Sequence, residues 1–198
     1  MQENSQFNFK ALDILLGSQT RARVLRFFFR HEGQDFRIGE VAKTILQNYN
    51  TTSSFIEELA TVGILKEVKG QGSGTLYTTN TEFRTYGELK ALVLYTFPIS
   101  LSEVVEAIKH TGKIRLAMLQ GVFLSQEGSS VDLFIVADDI DEKKFQVFIA
   151  ELEADVGKSI NYTLMDTPEF TYRYNIYDRF VRNIMKRQNI KLVDSLSL

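Results

Sequence analysis

The stretch TTSSFIEELATVGILKEVKGQGSGTLYTT, residues 51–79, constrains the fold more than any other part of the chain. Phe55, Leu59 and Val62 recur at helical spacing behind a cluster of hydroxyl side chains, so residues 51–62 read as a helix with one core-facing side. Ser54 and Glu57 stand at the spacing of a capping box. Gly63 supplies a stop, ILKEV and LYTT read as two strands, and the basic turn KGQGSGT between them carries the glycines that a tight hairpin needs. Upstream, Ile38, Val41, Ala42, Ile45 and Leu46 fall at i, i+3, i+4, i+7 and i+8, and the polar turn QNYN joins this helix to the next. Helical signals at residues 18–30 and 82–95 complete the first half.

Helical periodicity stops at FPIS, residues 97–100, and restarts beyond it, which divides the chain into residues 1–97 and 98–198. In the second part Leu101, Val104, Val105 and Ile108 make a helical stripe over residues 102–110. Strands are predicted at 114–119, 131–136 and 160–165, a helix at 142–156, and further helices to about residue 186. Thr167 reads as a helix cap with Pro168 in the first turn. Tyr177, Phe180, Val181 and Ile184 share one helix face, with Arg179, Arg182 and Lys186 elsewhere, as for a helix packed on its own sheet with a solvated basic side.

Composition narrows the chemistry. With 198 residues, 44% of them hydrophobic, and a net charge of -2, the chain can bury a core, and nucleic-acid binding would need a local patch. There is no cysteine, which removes disulfides, thiol nucleophiles and thiolate zinc sites. The two histidines, His31 and His110, are far apart and read as helix-terminal groups, so a multi-histidine metal site is not expected. No stretch approaches 18 apolar residues and MQENSQFNFK lacks the pattern of a secretory leader, so a cytoplasmic chain with no membrane segment is expected.

Two helices, a short turn and a glycine-rich hairpin, residues 12–95, resemble the winged-helix domains of ArsR-like and MarR-like transcriptional regulators; GSQTRARVLRFFF resembles their first helix. The resemblance implies double-stranded DNA as partner and a homodimer reading successive half-sites. Asn50, Thr51, Thr52, Ser53 and Ser54 would face the major groove, and Lys69, Gln71, Ser73 and Thr75 the phosphates or minor groove. Arg21 and Arg23 are further candidates for DNA contact, from the only run of positive charge, which also holds Arg26 and Arg30. Each has a plainer role: hydroxyls cap helices, Lys69 is a solvated edge charge, and Leu25, Phe28 and Phe29 must turn the arginine helix inward. Glu57 and Glu58 leave the recognition helix without a cation, so affinity rests on dimerisation or is modest.

The order LQGVFLSQEGSSVDLFIVADD, then a helix and SINYTLM, resembles the small stand-alone form of the nucleotidyltransferase superfamily over residues 102–193. That family holds two magnesium ions on three carboxylates after a Gly-Ser turn. By this resemblance Gly121 is kept, Val122 stands at the phosphate-binding serine, Ser130 at the first aspartate, Asp132 at the second and Asn161 at the third acid. One carboxylate is a poor magnesium site, so no catalytic residue, metal or cofactor is expected, and Asp132 reads as a hydrogen-bond acceptor at a strand end. Asp138, Asp139 and Asp141 offer another acidic cluster, or cap the following helix. The expected protein is an α+β transcriptional regulator and not an enzyme. Its winged helix-turn-helix precedes a degenerate nucleotidyltransferase-like domain, with a small mixed sheet, that serves dimerisation or senses a small-molecule or nucleotide effector. The alternatives are an active magnesium-dependent nucleotidyltransferase acting on protein or RNA, and an antitoxin-like module that binds protein instead of DNA.

Overall fold

The computed structural model describes residues 10–70, 74–125 and 129–196. The architecture is mixed α+β with small sheets. Residues 10–98 together with 153–158 form an N-terminal unit, and the remaining described residues form a C-terminal unit.

In the N-terminal unit α1 (Ala11–Leu16) is followed by Ser18, whose Oγ accepts the Arg21 N–H at 3.4 Å and caps α2 (Gln19–Arg30). Every residue of α2 from Ala22 to Phe29 is buried, including two arginines. Arg23, a candidate for DNA contact on sequence, is 2% exposed and points inward. Its Nε donates to Asp155 Oδ1 at 2.7 Å and its Nη1 to the Ile45 carbonyl at 2.9 Å. The compensating carboxylate lies 132 positions away, so no local pattern reveals it. Arg26 is also buried, with Nη1 bonded to the Asp155 carbonyl at 3.3 Å and 3.8 Å from Asp13. Loss of hydration dominates at both members of that pair: burial pushes the Asp13 carboxyl up and the Arg26 guanidinium down from their ordinary values, despite their mutual attraction.

Helix α3 (Ile38–Thr44) buries Val41 and Ala42, and Ile45 continues the stripe. Leu46 leaves it, turning through φ 52° and standing 46% exposed. Helix α4 (Tyr49–Thr61) starts before the apolar repeat suggests, because Asn48 is its cap and accepts the N–H groups of Asn50 at 2.8 Å and Thr51 at 3.4 Å. Ser54 is consequently inside the helix and makes no capping box. Strands β1 (Leu65–Lys69) and β2 (Thr75–Thr79) pair antiparallel from Leu65 opposite Thr79 to Lys69 opposite Thr75. Phe36 adds a bridge to Tyr77, and α5 (Tyr86–Tyr95) follows. Phe27, Phe28 and Phe36 pack edge to face in the core beneath.

The C-terminal unit opens with α6 (Leu101–Lys109), β3 (Lys113–Leu119), a 3-10 turn at Gly121–Leu124 and β4 (Leu133–Asp138). Then come α7 (Glu142–Val156), β5 (Tyr162–Met165), α8 (Thr167–Asn175), α9 (Arg179–Lys186) and β6 (Ile190–Asp194). The sheet order is β5-β4-β3-β6, with β4 and β5 parallel and the other pairs antiparallel. Central β4 is buried from Leu133 to Ala137, as its unbroken apolar run requires. The cap of α8 is Asp166, whose carboxylate accepts the Glu169 N–H at 2.7 Å, so Thr167 is the first helical residue. Tyr177 does not join the buried face of α9, which is made by Val181 and Ile184; it precedes the helix at φ 57° and is 75% exposed.

Candidate nucleic-acid interface

The N-terminal turns of α4 present Asn50, Thr51 and Ser54 to solvent. Thr52, counted with them on sequence, is fully buried and faces the core, because it lies three residues before Phe55 on the same inward stripe. Ser53 is half-buried and donates to Glu57 Oε1 at 2.6 Å, while Ser54 Oγ donates to Glu58 Oε1 at 3.4 Å. Arg21 reaches the same helix: its Nη2 pairs with Glu58 Oε2 at 3.0 Å and its guanidinium lies 4.8 Å from the centre of the Phe55 ring. Of the candidate arginines, then, Arg21 borders this face and Arg23 does not.

In the hairpin Lys69 and Thr75 are exposed at facing positions, whereas Gln71 and Ser73 lie outside the described residues. Arg37, Lys43 and Tyr49, which sequence reasoning did not single out, join the face. Arg37, Tyr49 and Thr75 line one cleft between the start of α3, the start of α4 and the hairpin, with Ile38, Gly39 and Gly74. Lys43 is exposed on α3. Arg37 sits before the apolar stripe of α3, and only the cap geometry marks it: its backbone N–H donates to Glu40 Oε2 at 2.8 Å. The arrangement offers hydroxyl and amide groups for polar recognition, with Arg37, Lys43 and Lys69 as cations and Glu57 and Glu58 opposing them.

The second cluster of candidates, in the C-terminal unit, surrounds Asp132. This residue is 4% exposed, and both its carboxylate oxygens are taken by backbone donors: Val122 N–H at 2.7 Å on Oδ1 and Asn161 N–H at 2.9 Å on Oδ2. Asp132 also exchanges main-chain bonds, its N–H donating to Asn161 O at 2.6 Å and its carbonyl accepting from Gln120 at 2.8 Å. Gly121 is required here, since a Cβ on it would lie 2.1 Å from Asp132 Oδ1, and its φ is +53°. Val122 is buried; Ser130 and Asn161 are exposed and bring no charge. A divalent cation does not fit this donor set, because the one carboxylate is buried and each of its oxygens already accepts a backbone N–H, while its neighbours bring no charge. Asp138 instead accepts from Thr167 N–H at 3.1 Å and Thr167 Oγ1 at 2.8 Å, Asp139 pairs with Lys113 at 2.6 Å, and Asp141 accepts from Lys144 N–H at 3.2 Å. Among the described residues no grouping of three acidic or histidine side chains could hold a metal ion.

No family model, curated protein or solved structure matches the chain. Among the described residues no helix is long and apolar enough to cross a membrane.

Proposed function

We propose that the protein is a cytoplasmic transcriptional regulator whose N-terminal unit reads double-stranded DNA as a winged helix-turn-helix. What carries this reading is the exposed set Asn50, Thr51 and Ser54 at the start of α4, flanked by the β1-β2 hairpin with Lys69 and by Arg37 and Lys43. Helix α4 lies in the major groove, its first two turns contact base edges, and the hairpin follows the phosphate backbone. Two copies in a homodimer read related half-sites, which supplies the affinity that Glu57 and Glu58 withhold from a single copy. The C-terminal unit is a nucleotidyltransferase-like domain without catalysis, since Asp132 acts as a structural latch; it serves dimerisation or senses an effector.

The test is binding to fluorescent duplexes covering the DNA around the gene, against a random duplex, at several salt concentrations. Thr51 occupies the third helical position, where a carboxylate favours both cap and helix dipole. Thr51→Glu is therefore expected to keep the thermal midpoint and lose preferential binding by at least tenfold. Unchanged binding in Thr51→Glu, or the same weak binding to every duplex, would remove α4 as a reader of DNA.

A second reading has one observation behind it. Glu58 engages Arg21, the exposed cation next to α4, so the helix presents carboxylates and a neutralised arginine. That surface suits a basic protein partner, and a stable complex recovered from native extract together with no salt-sensitive DNA binding would favour it.

A further inference from the structure

The junction of α8 and α9 holds a cleft of about 620 Å³ lined by Tyr174, Asn175, Tyr177, Arg182, Met185 and Lys186. That is the size range of small-ligand sites, and its chemistry is uneven in a telling way. One wall is aromatic and pre-set. Phe134 in central β4 packs on buried Phe170 at 5.9 Å, and Phe170 stacks on Tyr174 at 5.8 Å with the rings 29° apart, so the Tyr174 ring is braced from the sheet outward. Tyr177 follows in the left-handed region at φ 57°, a strained conformation for a non-glycine residue, and stands exposed. Its backbone is fixed by N–H donation to the Tyr174 carbonyl at 3.1 Å. Packing does not explain this arrangement, because the residue is 75% exposed.

The other wall is cationic. Arg182 and Lys186 are four residues apart on α9, hence on one face, and both are exposed. Neither side chain has an ion pair or hydrogen bond among the described residues. Asp178, the nearest acid in sequence, spends its carboxylate on the α9 cap, accepting from Phe180 and Val181 N–H at 3.0 and 3.1 Å. Arg179 and Arg187 add exposed positive charge to the same helix and its end. A braced aromatic platform and two cations that line one cleft are complementary to a flat aromatic group that carries phosphate.

We infer that the α8-α9 cleft binds a nucleotide, stacking the base on Tyr174 and Tyr177 while Arg182 and Lys186 hold the phosphate. Asn175 also lines the cleft, and its amide carries both a donor and an acceptor for a base edge. The site is separate in residues from the Asp132 latch and owes nothing to α4, so loss of duplex recognition would leave it unchanged. Its ligand is either a free nucleotide or one nucleotide of a single strand, and both present the same base and phosphate.

The test uses the full chain in calorimetric titrations with adenosine monophosphate, adenosine and inorganic phosphate, and with oligoadenylates of two to six nucleotides. Adenosine monophosphate is expected to bind more tightly than adenosine or phosphate alone. Tyr177→Gly relieves the left-handed backbone and should keep or raise the thermal midpoint, yet weaken binding about tenfold or more. Arg182→Ala combined with Lys186→Ala should leave adenosine binding unchanged and abolish the advantage of the phosphate. Affinity that stays level with oligomer length identifies a free nucleotide as ligand, and affinity that climbs with length identifies a single strand. No binding of any nucleotide, or binding unaffected by Tyr177→Gly and the double variant, overturns the assignment. Thr51→Glu measured in parallel separates the two units: it should leave nucleotide binding intact, as Tyr177→Gly should leave duplex binding intact.

Discussion

Asp132 shows how one side chain can hold three segments in register. Its two oxygens tie the 3-10 turn at Val122 and the entry to β5 at Asn161 to the start of β4. Removing the carboxylate strands the buried N–H of Val122, which costs about 1–3 kcal/mol when left without a partner, and the part-buried N–H of Asn161, which costs less because water can reach it. Asp132→Ala is therefore expected to destabilise the protein by roughly 2 kcal/mol in chemical denaturation, and a change under about 0.5 kcal/mol would show that the latch carries no weight. This has a consequence for assays: loss of any activity in Asp132 variants reports folding before it reports chemistry, so it needs a stability measurement beside it. The acceptor role of Asp132 was legible in the sequence, since a carboxylate opening an apolar strand has few other uses. The inward turn of Thr52 and Arg23 was not. Thr52 is small enough to pass for a polar surface residue, and an arginine reads as exposed until its partner is found; here that partner is Asp155.

At the scale of elements, the clearest coupling is between the end of β4 and the start of α8. Asp138 accepts both the backbone and the side-chain donor of Thr167, while Arg115 of β3 stands 3.5 Å away. These contacts hold the Asp138 carboxyl below its ordinary value, the Thr167 N–H contributing most, then the Thr167 hydroxyl. A carboxyl whose folded-state value is depressed stabilises the fold above the unfolded value of about 3.9, and that contribution is lost as the pH falls through the depressed value. In thermal melts across pH 2 to 6, Asp138→Asn should have a lower midpoint at pH 6 and a flatter fall below about pH 4 than the unmodified chain. Parallel curves for the two proteins would show that the clamp is absent in solution. Helices α2, α3 and α7 and strands β3 to β5 were visible in the periodicity, because each carries a continuous apolar stripe or run. Strand β6 was not, since it is short, pairs only with β3 at the sheet edge, and its IKLVD mixes charge with half-buried apolar residues. The start of α4 was misread for a related reason: Asn48, which caps it, lies ahead of any apolar repeat.

For the molecule as a whole, the telling feature is that the N-terminal unit is discontinuous in sequence. Residues 153–158, the end of α7 and the turn after it, pack with residues 10–98 and bring the carboxylate that Arg23, Lys10 and Gln19 share. The approach is close: Gly157, at φ +84°, lies so near α2 that a Cβ on it would be 2.7 Å from backbone atoms of Arg26 and Phe27. A boundary drawn along the chain cannot assign this segment to the first unit, because α7 is one uninterrupted helix in the periodicity. The energetic consequence is large. Taking away one member of a buried ion pair costs about 3–5 kcal/mol, against a total stability of about 5–15 kcal/mol for a domain. A fragment of residues 10–98 is thus expected to unfold at lower urea than the same unit in the full chain, or to lack a cooperative transition. Arg23→Met removes the stranded charge at similar volume and should recover part of that loss in the fragment, while giving little or no gain in the full chain, where Asp155 is present. Circular dichroism in urea on the four proteins decides it. If fragment and full chain unfold alike, Arg23 finds its compensation elsewhere; if Arg23→Met rescues only the fragment, the N-terminal unit is completed by Asp155 in the last turn of α7.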